Sequence, residues 1–395
     1  MRLKKAKLLR NLKKIAYVIT LCLMAIATVY FTGIHSPTVL ANRTNMPKLA
    51  TKNVAELTIR DFPIGWIDRV ERAQTPAKVA QEGINFLIPY THQYDRPTIE
   101  TYLNNARQNG IKVFLEPYRE SVRTENAAAI TEFVKTYKEH PAVAGWYSYD
   151  EPVANNVSPQ TLEIAYQAIK AEDPNHPVAI VFAPEQGAKV AQYGNALDIY
   201  MINRYPLFFG KPEFNNLGNF GQWMQKAASY AGDKVFIPVL QGYGEQENGK
   251  PQYNRRLPTA AEERYMFYTA VLAGADGLMF YGHHWTQQSW VDSVLTPIIK
   301  EFHDYLPIVP SDKVNGSLTN RSDIQTVLYQ NPSTQEYLLI AIHHGRGNVT
   351  ARIEPPVSVS NNQVRVSGEN RSLNLTQGAI LDTFNDFDVH IYLIN

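Results

Sequence analysis

Cysteine is almost missing from this chain. Its single cysteine, Cys22, lies in an apolar run near the N-terminus. Beyond that run there is no thiol, which excludes disulfides, cysteine-based metal sites and a cysteine nucleophile. Net charge is nearly missing too. The 38 Lys and Arg residues against 37 Asp and Glu leave a formal +1, not the basic excess that nucleic-acid binding requires. There is no G-x-x-x-x-G-K-[ST] loop, and no glycine-rich turn follows the first strand, so P-loop and dinucleotide chemistry are set aside. What the chain has in quantity is aromatic: 23 Tyr and 5 Trp. Aromatics in such number line carbohydrate clefts, although a large core uses them as well.

The N-terminus is a separate element. Met1–Lys14 carries Arg2, Lys4, Lys5, Lys7, Arg10, Lys13 and Lys14 and no acid. Ile15–Ile34 follows without a charge, and a Val-x-Ala end falls at Ala41. This basic region, apolar run and small-residue site read as a signal peptide over 1–41. The run is also about long enough to stay as a membrane anchor. Either way, residues beyond Asn42 are expected outside the cytoplasmic membrane, secreted, periplasmic or anchored, with the basic flank inside. Residues 42–56 read as a linker.

From Leu57 strands and helices alternate. Strands are expected within Leu57–Ile67 and at Gly83–Tyr90, Ile111–Leu115, Val143–Tyr149, Val178–Phe182, Leu197–Ile202, Val235–Leu240 and Gly277–Tyr281. Helices are expected from Thr75-Pro76, over Pro97–Asn109 with Gly110 at its end, over Glu125–His140, from Ser158-Pro159 to Glu172, over Phe220–Ala231, from Thr259 to Ala273 and over Trp290–Tyr305. Thr259 with Glu262 has the spacing of a capping box. Eight β/α units over 57–310 predict an α/β fold, a TIM (β/α)8 barrel. After Pro310 the helical periodicity stops. Short β-type runs at Gln325–Tyr329, Tyr337–Ile342, Val349–Ile353, Gln363–Val366 and Val389–Leu393 predict a small all-β sandwich over 314–395.

A barrel gathers its strand C-termini on one face, where the chemistry sits. The stretch Trp146-Tyr147-Ser148-Tyr149-Asp150-Glu151-Pro152 ends strand four with two carboxylates and a proline. The other strand ends offer Asp61, Tyr90, His92 and Tyr94, Glu116, Tyr118, Arg119 and Glu120, Glu185, Asn203, Arg204 and Tyr205, Gln241, Tyr243 and Glu245, and His283, His284 and Trp285. Carboxylates serve acid/base work, aromatic faces stack on pyranose rings, and amides and histidines meet hydroxyls. Adjacent histidines on a strand point to opposite sides, and no third ligand has metal spacing. No cofactor or metal is therefore expected at His283-His284.

On these residues the chain resembles the large clan of (β/α)8 retaining glycoside hydrolases that includes β-galactosidases and glucanases. In that clan an acid/base Glu ends strand four before a proline, a Tyr follows strand six, and a Trp ends strand eight. Asp150-Glu151-Pro152, Tyr205 and Trp285 match in order. The resemblance implies an exported hydrolase of a β-linked poly- or oligosaccharide, with Glu151 as acid/base and carbohydrate as its partner. Asp150, Tyr205, Trp285, Gln241, His92, Glu116, Tyr90 and His283 would contact the sugar. Two positions depart from the clan. Its Asn before the acid/base is Asp150 here, and its strand-seven nucleophile position holds Gln241, which cannot form a glycosyl ester. Glu245, four residues on, is the expected nucleophile, with Glu116 and Glu185 in reserve. Carboxyls about 5–5.5 Å apart imply retention and about 6.5–9.5 Å inversion. The amide at Gln241 motivates the alternative, a carbohydrate-binding barrel without turnover. Oligomeric state has no signature here.

Overall fold

A computed structural model describes residues 62–394, apart from 71, 73, 74, 211–216, 246–249, 310–312, 315–317, 332 and 358–361. The N-terminal segment over 1–41 with Cys22, the linker over 42–56 and Asp61 all lie outside the described residues.

Eight parallel strands close into a barrel in sequence order. They are β1 (Ile64–Arg69), β2 (Phe86–Tyr90), β3 (Lys112–Leu115), β4 (Val143–Asp150), β5 (Val178–Phe182), β6 (Ile199–Arg204), β7 (Val235–Gln241) and β8 (Leu278–Tyr281). Closure is made by β1 pairing with β8, Ile64 opposite Leu278. A strand buried on both faces needs apolar residues at every position, and all five residues of β5 are buried. Alternate residues fill two compartments. Ile67, Phe86, Ile88, Phe114, Ala179, Val181, Met201, Ile237, Val239 and Met279 pack inside the barrel. Trp66, Leu87, Val113, Leu115, Ile180, Tyr200, Leu240 and Phe280 pack outward against the helices.

The helices start where their caps dictate. Asp95 accepts from the Thr98 N–H at 3.0 Å to open Arg96–Gln108, and Ser158 accepts from Thr161 at 3.0 Å to open Pro159–Glu172. Thr259 and Glu262 form the full capping box of Ala260–Leu272, a device that satisfies two orphan N–H groups reciprocally. Three details depart from expectation. Strand one extends to Arg69, so the acid near its C-terminal end is Asp68, which is buried against Tyr102 of the helix layer. A short helix, Arg119–Arg123, precedes Ala127–Tyr137. The fifth unit has no α-helix but 3-10 turns over Pro184–Ala196, where Gly187 and Gly194 weaken α-helical propensity.

The C-terminal module is antiparallel. Its larger sheet contains β9 (Lys313–Val314), β10 (Ile324–Gln330), β11 (Tyr337–His343), β13 (Gln363–Val366), β14 (Arg371–Asn374) and β16 (Val389–Ile394), and its smaller one β12 (Val349–Ile353) and β15 (Ile380–Phe384). Leu339, Val364 and Tyr392 of one sheet share a core with Ala351, Ile353, Ile380 and Phe384 of the other. That is the sandwich arrangement. The opposite face of β11 joins the barrel's outer core through Leu338, Ile340 and Ile342. Arg264 ties the two modules, pairing with Glu301 at 2.7 Å and donating to the Val389 carbonyl. The module is therefore fixed to the barrel's side.

Candidate active site at the strand C-termini

The mouth is organised by a fault in β4. Its pairing with β5 slips between Tyr147 and Tyr149, leaving Ser148 as a bulged residue. A bulge shifts the side-chain parity of everything after it. Tyr147 packs in the barrel interior and Tyr149 in the outer layer. Asp150 consequently returns to the interior side, where the Tyr147 hydroxyl donates to its Oδ1 at 3.1 Å. Glu151 then adopts φ +48°. Left-handed backbone is costly for a residue with a side chain, and such outliers concentrate at functional sites. Adjacent carboxylates that would diverge on a regular strand thus both act on the mouth.

Asp150 sits in a ring of polar partners. Tyr90 donates to its Oδ2 at 3.4 Å, and Arg119 Nη2 lies 3.6 Å away. The side chain keeps 24% of its surface open toward the mouth. Burial of the carboxyl pushes its pKa up to about 6, against the pull of Arg119 and with repulsion from Glu151 and Glu116. Arg119 is shared, since its Nε also meets Glu116 Oε1 at 2.5 Å. Glu116 is fully buried, and its other oxygen meets His92 Nδ1 at 2.5 Å. His92 Nε2 faces the Gln93 amide at 2.7 Å. Glu116 and His92 therefore have their polar atoms already engaged with neighbours.

Glu151 is held from two strands away. Asn203, on the inward side of β6, donates to its Oε1 at 2.7 Å, and the Tyr205 hydroxyl donates to Asn203 at 2.8 Å. A donor on an acceptor that itself donates makes a directional chain, which fixes which amide atom faces the carboxylate. Beside it stands an aromatic wall. Tyr205 stacks on Tyr281 at 5.6 Å and 21°, while Tyr243 meets Tyr205, Tyr281 and Trp285 at 5.3–6.2 Å. Burial keeps the Tyr205, Tyr90 and Tyr147 phenols well above their usual range, so they act as neutral donors. Trp285 leads to the rim, where Tyr253 stands edge-on to it at 5.1 Å and is 63% exposed. The loop carrying Trp285 turns at Gly282, φ +106°. A Cβ there would sit 2.3 Å from the Cβ of Tyr243, so the aromatic wall and the glycine require each other.

Strand seven ends differently. Gln241 is fully buried. Its Oε1 accepts from the Leu207 N–H at 2.9 Å, and its Nε2 donates to the carbonyls of Arg256 at 2.8 Å, Tyr243 at 3.1 Å and Leu207 at 3.2 Å. Both amide protons are engaged. The expected sugar contact is thus replaced by a clamp on the loops after β6 and β7. Glu245 accepts from the Leu257 N–H at 2.8 Å within the same loop; that bond ties it to its own loop.

His283 turns away from the aromatic wall. Its Nδ1 lies 3.3 Å from Asp68 Oδ1, its ring packs on Trp66 at 5.2 Å, and Asp68 also accepts from Tyr102 at 3.0 Å. His284 is half-buried, with both ring nitrogens covered and neither bonded, and burial lowers its pKa to about 4, helped by Arg69 and Arg72. Glu185 leaves β5 near Arg204, whose guanidinium lies over Trp223 at 4.9 Å. The structure thus brings together Tyr90, Glu116, His92, Asp150, Glu151, Tyr205 and Trp285. It adds Asn203, Tyr147, Arg119 and Tyr281 as their holders. Counting every second residue from the inward Met201 and Met279 finds Asn203, Tyr205 and Tyr281.

The same architecture occurs in solved glycoside hydrolases. One is a family 39 glycoside hydrolase from the gut symbiont Bacteroides cellulosilyticus WH2, with TM-score 0.56 and 13% identity, covering 85% of this chain and 82% of that one. A second is a family 30 endoxylanase from Clostridium papyrosolvens C71, with TM-score 0.51 and 12% identity, covering 84% and 96%. A third is an alpha-amylase from Geobacillus thermoleovorans complexed with acarbose, with TM-score 0.58 and 10% identity, covering 85% and 98%. No protein-family model matches the chain, and no curated protein matches it in sequence. At these identities the likeness is one of fold: a closed (β/α)8 barrel with a β module, as glycoside hydrolases have.

Proposed function

We propose that this protein is an exported glycoside hydrolase acting on a β-linked poly- or oligosaccharide, with Glu151 as its general acid/base. The observation that carries the reading is the placement of Glu151. It stands at the mouth of a closed barrel on a left-handed backbone, aimed by Asn203 from β6. The stacked Tyr205 and Tyr281, with Tyr243 and Trp285, give sugar rings apolar faces beside it. A pocket combining aromatic walls with a few convergent polar groups is the form small-ligand sites take. The fold likeness supports the hydrolase class. The β linkage rests on the Glu-Pro, Tyr and Trp pattern alone, because the similar folds include an alpha-amylase and an endoxylanase. Export rests on the basic and apolar N-terminus, and release against anchoring is read by the mass of the mature chain.

The test is turnover of a panel of β-linked oligosaccharides by the wild type and by Glu151→Gln, with thermal unfolding measured beside it. Removing a general acid/base costs about 10²–10⁴-fold in rate. Equal turnover by the variant rejects the assignment. Binding without turnover by the wild type moves the protein to the carbohydrate-binding reading, which the fully engaged Gln241 favours.

A further inference from the structure

The question left by the site is which group attacks the anomeric carbon. Glu116 is fully buried, with its oxygens on His92 and Arg119. Glu245 is tied to the Leu257 N–H, and Gln241 cannot form an ester. Among the described strand-end carboxylates, Asp150 is the one that is open to the mouth and within electrostatic reach of Glu151. It directly precedes Glu151 in the chain, however, so the two reach a substrate from the same wall. Displacement at an anomeric carbon needs the attacking atom opposite the leaving oxygen, while the acid protonates that oxygen.

We propose that Asp150 and Glu151 work as one dyad on sugars carrying a 2-acetamido group, whose own carbonyl oxygen is the nucleophile. This rests on the glycosidase reading and names its substrate class, a β-linked N-acetylhexosaminide. In the first step the acetamido oxygen bonds to C1 as the glycosidic C–O bond breaks, and Glu151 gives its proton to the departing oxygen. The bicyclic oxazolinium that forms is positive at nitrogen, and the Asp150 carboxylate takes its N–H in a hydrogen bond. In the second step water attacks C1, Glu151 recovers a proton from it, and the acetamide is restored. The net change is hydrolysis with retained configuration, and water is the sole co-reactant. Substrate-assisted glycosidases of this kind are a recognised exception to the two-carboxylate scheme.

The two carboxylates are held for separate tasks. Tyr147, Tyr90 and Arg119 fix Asp150 from β4, β2 and the turn after β3. Asn203 fixes Glu151 from β6. The bulge at Ser148 lets both serve one site; a regular strand would send Asp150 into the helix layer. The Tyr90 and Tyr147 rings, whose hydroxyls bond Asp150, suit the acetyl methyl.

The experiment compares chito-oligosaccharides with cello-oligosaccharides of equal length, which differ only at C2, using the mature chain. Thiazoline-fused N-acetylglucosamine, a stable mimic of the oxazolinium, is the second probe. Expected are turnover of the chito series at least about 10²-fold faster, competitive inhibition by the thiazoline, and loss of both in Asp150→Asn with unchanged thermal unfolding at pH 4. Comparable turnover of the cello series, with a 2-deoxy-2-fluoro glycoside trapped covalently on a carboxylate, overturns the proposal and leaves the glycosidase standing. Failure to cleave either series while other glycosides are cleaved does the same. Failure to cleave any glycoside removes both. If Asp150→Asn unfolds, thiazoline inhibition of the wild type decides alone.

Discussion

Strands four and seven end on the same face of the barrel, and they end in opposite ways. The end of β4 is charged, half open and held by side chains: Tyr147, Tyr90 and Arg119 on Asp150, Asn203 on Glu151. The end of β7 is neutral, sealed and bonded to backbone alone, with Gln241 on Leu207, Tyr243 and Arg256. The difference is one of what each end can do. Side-chain partners can exchange protons and admit a ligand, whereas a buried amide that satisfies loop backbone cannot leave it without exposing unpaired groups. One strand end carries chemistry, and the other carries the loops that shape the cleft.

The comparison breaks in different places for different substitutions. The largest effect is expected on rate, from Glu151→Ala: a loss of about 10²–10⁴-fold in kcat, with little change in thermal unfolding because relief of the repulsion between Asp150 and Glu151 offsets the lost bond to Asn203. A comparable rate for Glu151→Ala and wild type would empty the β4 end of meaning. Next comes stability at the other end. Gln241→Ala leaves the Leu207 N–H and three carbonyls without their partner, at about 1–3 kcal/mol for each group that water cannot reach. About 3 kcal/mol in denaturant unfolding is expected, while Glu151→Ala leaves that midpoint unmoved. Asn203→Ala should then lower kcat by about tenfold, the equivalent of one hydrogen bond to a charged group, with KM nearly constant. A change in KM alone would make Asn203 a sugar contact and not the holder of Glu151.

A smaller effect sharpens the electrostatic side. Asp150 faces Tyr90, Glu116, Arg119, Tyr147, Glu151, Tyr205 and Tyr281, and burial raises its pKa from 3.8 to about 6. A carboxyl whose folded pKa lies above its unfolded one contributes stability below the unfolded value and loses it as pH rises through the folded value. Asp150→Asn should therefore match the wild type near pH 4 and gain on it between pH 4 and 6. The ceiling is about 3 kcal/mol at 1.36 kcal/mol per unit, reduced by the lost pairing with Arg119. A gain that falls with pH would reverse the sign of the argument. The smallest effect is expected from Tyr253→Ala, an exposed ring at the rim: a KM rise for long oligosaccharides and none for short ones, with folding untouched.

Legibility followed periodicity. The alternation of apolar runs and capped helices announced eight β/α units, and caps such as Ser158 and Thr259 sit where their sequence signals put them. The change of texture after Pro310 announced the β module, although β14 and β15 escaped notice because polar Arg371–Asn374 and alternating Ile380–Phe384 lie among turn residues. The site was legible as a set of strand ends. Its internal roles were not. Nothing local marks Ser148 as a bulge, so the parity that brings Asp150 inward was hidden. Nothing local tells whether the amide of Gln241 meets a sugar or three carbonyls, since its partners lie 2, 15 and 34 residues away in the chain. His283 reads as a mouth residue until Asp68 and Trp66, more than two hundred positions earlier, are seen beside it.

By itself the sequence determined the closed barrel, the β module, and the collection of carboxylates and aromatics at one face, because hydrophobic period and capping are local properties that short stretches carry in full. Only the tertiary structure decided which of those residues meet each other. A carboxylate becomes an acid, an ion-pair partner or a loop clasp according to the groups packed against it, and those groups arrive from other strands of the ring.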